Sequence, residues 1–304
     1  ATYGTDFVER YLLPLLYPDA LSRRHQVWLG TAVLLLNLAV YAWIGTDTIE
    51  KAEMTSPSPS SHFLPLDLPT GVFDLEVPAG VHPPPPSSLT LAGLLDVRPG
   101  EAVLDLGCGA GLLAITAACR GADRVVATDT DERALDAAAR NARICGVEER
   151  ILFRKGSWYE ALRGCHPSFS GPFHVIVATP PQTPAPSPIG PRHGGRDGTE
   201  HLCAVIDGAP LVLVPATGRL WLLAISLANP AKVLKRLSSV FSTVAVVTET
   251  ERFFLADEYE DLAPGLMNHL LRQRTTGQAW FRETGDGRYV FQNLFIRASG
   301  GIPA

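Results

Sequence analysis

The run Val103-Leu104-Asp105-Leu106-Gly107-Cys108-Gly109-Ala110-Gly111-Leu112-Leu113-Ala114-Ile115 constrains this chain more than any other. It reads as a short apolar strand, a turn with glycine at three alternate positions, and the start of a helix. Glycine lets the backbone adopt φ > 0 and lets a ligand lie against the chain without a Cβ in the way. The helix that follows opens with N–H groups that have no partner inside it. At the carboxyl edge of a parallel sheet, such a turn suits a nucleoside-bearing ligand. The spacing narrows the choice. A dinucleotide fold wants G-x-G-x-x-G, whereas Gly111 follows Gly109 by only two positions. A phosphate loop wants G-x-x-x-x-G-K-[ST], and no Lys follows here.

From Glu101 onward strand and helix patterns alternate, the sign of a parallel sheet with helices on both faces. Strands are expected over 102–106, 124–128 ending at Asp129, 150–154, 173–178, 218–225, 242–248 and 289–297. Helices are expected over 112–120 and 132–144, the second opened by Asp131 as its cap. The pattern predicts an α/β fold: a doubly wound, seven-stranded, mostly parallel sheet occupying residues 99–304, its last two strands free to pair antiparallel at the edge. Residues 251–281 lie between those strands as a cap insertion, with helical spacing of Leu262, Leu266 and Leu270 around 264–273. Its aromatics and acids would suit a small amphipathic or cationic molecule. Residues 63–98 form an extension before the sheet, with one or two short strands in 63–81 and a capped helix start at Ser87-Ser88-Leu89-Thr90-Leu91.

The first 53 residues read differently. Positions 26–46 carry no charge, have Trp28, Tyr41 and Trp43 near their ends, and are long enough to span a bilayer as a hydrophobic helix. Residues 54–62 are a Pro/Ser linker. The first 45 residues or so resemble the last segment of a family of small, uncharacterised bacterial membrane proteins. Arg10, Arg23 and Arg24 precede the apolar run and Lys51 follows it, so the positive-inside rule would place the sheet domain outside the cytoplasm. Further spans upstream, or a sheet domain starting near Met54 and fused to an unrelated segment, would reconcile that with a cytoplasmic domain, membrane-anchored or not.

Net charge is −5, which does not suit a broad electrostatic hold on nucleic acid. The five cysteines are odd in number and form no C-x-x-C pair, so neither a disulfide framework nor a zinc site is expected, and no metal. Cys108, inside the glycine turn, reads as packing rather than as a nucleophile.

The D-x-G-x-G-x-G turn resembles motif I of the class I S-adenosylmethionine-dependent methyltransferases. The resemblance implies that Asp105 contacts the methionine end of the cofactor and that Gly107, Gly109 and Gly111 pass beneath it. Asp129, with Thr130 after it, ends the second strand, where a carboxylate can accept from ribose hydroxyls. Ser157 stands where many of these enzymes have an Asp that accepts from the adenine amino group, and Trp158 could pack beside the base. Ala178-Thr179-Pro180-Pro181-Gln182 resembles the N-P-P-Y motif of enzymes that methylate planar nitrogens. The wider frame, including Asn141-Ala142 and Gly194-Gly195-Arg196-Asp197-Gly198, is similar to the HemK-like branch, the release-factor glutamine methyltransferases.

Two departures bear on the acceptor. Thr179 offers one hydroxyl where Asn would offer an acceptor and two donors, and Gln182 lacks the flat face of Tyr. The expectation is therefore an S-adenosylmethionine-dependent methyltransferase acting on a small-molecule acceptor, with Thr179, Pro180, Pro181 and Gln182 facing that acceptor. Gln182 would hold a polar group of the substrate, and His193, Arg196 and Asp197 are further candidate contacts, His193 as a general base. Alternatives are a HemK-type protein-glutamine N5-methyltransferase, a lyase that cyclises the cofactor, and a non-catalytic, membrane-tethered nucleoside sensor.

Overall fold

A computed structural model describes residues 35, 62–68, 71–164 and 171–301. The chain divides into two compact units, Ala1–Ser56 and Pro57–Ala304, and the description below concerns the second. The expected membrane helix over 26–46 falls almost wholly outside the described residues. Among the described residues, no helix is long and apolar enough to cross a membrane.

The second unit opens with a hairpin, β1 (His62–Leu68) and β2 (Gly71–Val77), paired antiparallel from His62↔Val77 to Leu68↔Gly71. Helix α1 (Pro86–Leu94) follows. It begins one residue before the expected Ser cap: Pro85 is its N-cap, without a side-chain bond, because Pro86 is preset for the first helical position. The sheet then builds from β3 (Ala102–Leu106), β4 (Arg124–Asp129), β5 (Ile151–Lys155), β6 (Val175–Ala178), β7 (Arg219–Ile225), β8 (Thr243–Phe254), a short β9 (Arg282–Glu283) and β10 (Tyr289–Ser299). The helices are α2 (Leu112–Cys119), α3 (Glu132–Ile144), α4 (Glu200–Val212), α5 (Pro230–Val240), α6 (Ala256–Glu260) and α7 (Leu266–Thr275).

The strand order is β5-β4-β3-β6-β7-β10-β8, with β9 pairing β10 off that path. Strands β5 to β7 are parallel, and β10 runs antiparallel to both β7 and β8. The seven expected strands are therefore present, and β9 makes the sheet eight-stranded.

Alternation along the central strands sends their side chains into two cores. Val103, Val125, Ala127, Val175, Val177, Trp221 and Leu223 meet α1, α2, α3 and the hairpin on one face. Ala102, Leu104, Leu106, Val126, Ile176, Ala178, Leu220, Leu222 and Ala224 meet α4 and α5 on the other. Both faces being covered explains why these strands are apolar throughout rather than every second residue. A third core lies in the insertion, where Phe254, Tyr259, Leu266, Met267, Leu270, Phe281 and Phe291 pack with Ala185 and Leu227. At the opposite end of the strands, Arg219 is 3% exposed and bonds Asp96 and Glu101, tying the start of β7 to the segment before β3.

Candidate active site

The carboxyl ends of β3, β4, β5 and β6 face the same edge, where an open parallel sheet binds ligands. The glycine turn is held there by its own amides. Gly107 and Cys108 both donate to the Thr128 carbonyl at 2.8 Å, and Gly109 donates to Asp129 Oδ2 at 2.9 Å. Gly107, Gly109 and Gly111 have φ of 78°, 53° and 93°. Their roles differ. A Cβ on Gly109 would meet nothing within 4 Å, whereas one on Gly111 would lie 3.0 Å from the Ala138 Cβ of α3. Gly109 thus leaves room for a ligand, and Gly111 is glycine so that α3 can approach the turn.

Asp105 is fully buried and neither of its oxygens has a hydrogen-bond partner. Burial pushes its carboxyl up to about 7; the nearby Ala114 amide pulls the other way without reaching hydrogen-bond geometry, and the Asp129 charge adds to the rise. A buried, unpaired carboxylate is costly unless a cation meets it. Asp129 has both oxygens engaged, Oδ2 by Gly109 and Oδ1 by the Asp131 amide at 2.9 Å, and each oxygen keeps a further lone pair. Asp131, as expected, caps α3 by accepting from the Arg133 amide. Thr130 is an exposed bend between the two acids. Ser157 is exposed, and its side chain makes no capping bond. Trp158 sits at φ 44°, a conformation unusual for a bulky residue and often held at functional sites. Its Cζ3 would lie 4.0 Å from a Cβ on Gly107, and its ring centroid is 5.4 Å from that of His201. Cys108 is buried, and burial raises its thiol well above the usual range, so it stays protonated and donates weakly to the Gly109 carbonyl.

Asn141 was legible only as part of a family-like dipeptide, and the structure gives it a definite job. It is 1% exposed and makes three buried hydrogen bonds. Its amide nitrogen donates to the Ala110 and Glu76 carbonyls, each at 2.9 Å, and its oxygen accepts from the Glu76 amide at 2.8 Å. One side chain therefore joins the glycine turn, α3 and the hairpin.

Thr179, Pro180 and Pro181 follow β6 directly, with Thr179 and Pro181 half-buried. Gln182 is not available beside them. It is 8% exposed, its nitrogen donates to the Leu223 carbonyl at 3.0 Å and the Pro180 carbonyl at 3.3 Å, and its oxygen accepts from the Ile225 amide at 2.7 Å. The side chain that would have held substrate is consumed in fastening the turn to β7. The glycine-rich loop closes over it from the other side: a Cβ on Gly194 would lie 2.4 Å from the Gln182 Cα. Asp197 likewise has structural partners, the Thr199 hydroxyl at 2.7 Å, Lys232 at 2.8 Å and Asn229 at 3.2 Å. Arg196 is exposed, and its carbonyl accepts from His269 Nε2 at 2.8 Å. His193 is half-buried, with its Nδ1 buried and unpartnered. The acids expected to suit a cationic acceptor are also taken: Glu260 accepts from the Gly265 and Met267 amides at 2.7 and 2.9 Å, and Glu258 pairs with Arg252. Among the described residues no group of His, Cys, Asp and Glu could hold a metal ion.

The comparisons with known proteins fall on this same region. A family model described as ribosomal protein L11 methyltransferase (PrmA) matches residues 79–179, from just after the hairpin to Thr179. Over this segment the chain is similar to class I S-adenosylmethionine-dependent methyltransferases. Within that class its similarity runs to the HemK-like branch. The release factor glutamine methyltransferase of Xylella fastidiosa (strain 9a5c) is 39% identical over 127 residues, 40% of this chain and 46% of that protein. The corresponding protein of Rhodospirillum rubrum is 35% identical over 161 residues, 47% of each chain. A ribosomal protein L11 methyltransferase from Herpetosiphon aurantiacus is 44% identical over 82 residues, 27% of this chain and 25% of that one. The chain spans about half the length, or less, of these relatives.

The residues present fit the cofactor of that class. Asp105 offers a buried carboxyl with no partner of its own, which a cation would hold ionised, and Gly109 leaves open space where a Cβ would stand.

Proposed function

We propose that this chain transfers a methyl group from S-adenosylmethionine to a small-molecule acceptor. Asp105 would hold the cofactor's ammonium, Gly107 and Gly109 would lie under its methionine end, and the spare lone pairs of Asp129 would accept from its ribose hydroxyls. Ser157 and Trp158 would border its adenine. When bound, the cofactor supplies a methyl group on a positively charged sulfur, so the chain's own task is to position an acceptor and exclude water. Thr179 would orient that acceptor with its hydroxyl, on a turn made rigid by Pro180 and Pro181.

The reading of the acceptor is carried by Gln182. Its amide is bonded to β7 at two points and to the Pro180 carbonyl at a third, and cannot serve as a planar face or a substrate grip. Thr179, with one hydroxyl, cannot make the paired contacts that an Asn makes to an amide. Both departures argue against a glutamine amide. The second reading, a protein acceptor, is favoured by the relatives, which are named for release factors and ribosomal protein L11.

The test incubates the full chain with S-adenosylmethionine and either a low-mass metabolite filtrate or the retained macromolecules, and follows the products by mass spectrometry. S-adenosylhomocysteine formed with the filtrate supports the small-molecule reading. Formation only with the macromolecules replaces it with the protein reading. Methylthioadenosine without either fraction means cyclisation of the cofactor, and no turnover of any kind removes the methyltransferase activity.

A further inference from the structure

At the acceptor side one carboxylate serves two guanidiniums. Arg252 Nη2 makes a short contact with Glu258 Oε1, and Arg192 Nη2 lies 4.0 Å from the same oxygen. Arg192 is placed by the motif itself. Its carbonyl accepts from the Thr183 amide at 3.0 Å, one residue beyond Gln182. Arg252 pairs across from Phe291 in the β8–β10 ladder and lies 5.5 Å from the centre of that ring. On its other side β10 pairs with β7 and brings Asn293, two residues after Phe291, opposite Ile225, whose amide holds Gln182, so Arg252 stands near the strand end next to the motif.

Two further groups meet these charges. Tyr259 is 2% exposed. Burial pushes its hydroxyl up to about 12, with Arg252, Glu258 and Arg192 all within electrostatic reach, so it stays protonated and able to donate. His82, from the segment before α1, is held below its ordinary pKa by burial and then by Arg192 and Arg252. A neutral His82 adds no cation and can still donate one hydrogen bond. Separate stretches of chain thus bring two guanidiniums to one carboxylate, with the Tyr259 hydroxyl and His82 within electrostatic reach of both guanidiniums and with Asp257 and Asp261 lining the pocket beside Glu258. Guanidinium forks match carboxylate and phosphate oxygens, and two guanidiniums that share one carboxylate oxygen, one of them only at 4.0 Å, keep donors for a further oxyanion.

We propose that Arg192, Arg252 and the Tyr259 hydroxyl form an anion-binding rim of the acceptor site, so that the acceptor carries a carboxylate or phosphate group. The inference rests on the methyl-transfer reading for the site as acceptor pocket, and its test separates the two. The full chain is titrated by calorimetry with inorganic phosphate and, separately, with succinate. Saturable binding is expected for at least one of them. It should weaken at least fivefold in Arg192→Met with Arg252→Met, and twofold or more in Tyr259→Phe, which keeps the packing of the ring. It should be unchanged in Arg236→Met, whose guanidinium pairs with Asp207 between α5 and α4. Phosphate alone assigns a phosphoryl group, succinate alone a carboxylate. No binding of either, or binding indifferent to all three rim substitutions, overturns the rim. Rim-dependent binding without methyl transfer from any fraction would leave the rim standing and remove the methyltransferase reading. Methyl transfer to an uncharged or cationic acceptor would do the reverse.

Discussion

Removing the carboxylate of Asp105 gives the sharpest test of how the cofactor is held. The group is fully buried, without a hydrogen bond to either oxygen, and burial lifts it from 3.8 to about 7. Between those values the folded chain keeps a proton that the unfolded chain has lost. Stability from this group is therefore complete below about pH 4, declines as pH rises, and is lost once pH passes about 7, at up to about 1.4 kcal/mol per pH unit. The ligand-free protein should be more stable at pH 5.5 than at pH 7.5, and Asp105→Asn should shrink that difference. A cationic ligand inverts the preference, because only the ionised carboxylate can pair with it. Affinity then follows the ionised fraction, which rises from roughly a tenth at pH 6 to a half at pH 7, so binding tightens about fivefold. Calorimetric titration with S-adenosylmethionine at pH 6.0, 6.5 and 7.0, in two buffers of different ionisation enthalpy, reads both the affinity and the proton released. Asp105→Asn should bind more weakly, with no such pH dependence and no proton release from this site. A parent affinity that is flat or weakens over this range would refute the pairing of Asp105 with a cation.

Three other substitutions probe the supports of the site. Gln182→Ala removes three hydrogen bonds and leaves a cavity under β7, and should cost about 2–4 kcal/mol in urea unfolding; unchanged stability with an altered acceptor KM would mean that Gln182 touches substrate after all. Asn141→Ala breaks the link between Ala110 and Glu76, and should weaken S-adenosylmethionine binding several-fold while costing about 2–4 kcal/mol; full affinity in a folded variant would show that the turn needs no such anchor. Arg219→Met removes the ion pair of Glu101 and one of three side-chain partners of Asp96, which keeps Trp221 and Arg297, and should cost about 1–3 kcal/mol at pH 7. Burial alone would raise both of those carboxyls, but the guanidinium outweighs it and holds them below their ordinary range. Their contribution is present above about pH 4 and lost as pH falls, so the cost of the substitution should shrink in unfolding measured at pH 3.

Period and punctuation carried most of the fold. Each central strand lies within two residues of its expected start and end, because apolar runs bounded by Gly, Asp or Pro leave little choice. The reversal at β10 was legible as an edge possibility, whereas β9 is two residues long and leaves no periodic trace. The candidate site was legible where its shape depends on the backbone, at the turn of Gly107, Gly109 and Gly111. It was not legible where function depends on a distant partner. Gln182 looks like a free polar side chain until β7 arrives from 41 residues away. Glu260 looks like a ligand-seeking acid until it caps α7. Arg192 and Arg252 lie 60 positions apart, and only the paths of the intervening elements bring them to one carboxylate.

Gln182, Gly194 and Gly198 together suggest why the acceptor grip would shift outward. In this turn the fourth motif residue is no longer presented to a ligand but bolted to β7, and the glycine-rich loop is pressed so close that a Cβ at Gly198 would lie 2.6 Å from the Gln182 carbonyl. What remains of the motif is one hydroxyl and two prolines, a floor with a fixed shape and little to recognise. Selectivity then falls to whatever overhangs that floor. In the proposed reading the overhang would be the cap, whose core of Phe254, Tyr259, Phe281 and Phe291 is well packed and whose polar edge carries Arg252 and Glu258. A rigid floor with a charged overhang selects by charge and reach rather than by the edge pattern of a planar amide. If so, exchanging Gln182 for Tyr should not recreate amide specificity, since the ring would have to displace the β7 contacts before it could face the acceptor. The measurable consequence is a destabilised protein, with S-adenosylmethionine affinity kept and no gain of methyl transfer to a glutamine-bearing peptide. A stable variant that gains that activity would show instead that the turn retains the geometry of its relatives and that only the side chain had changed.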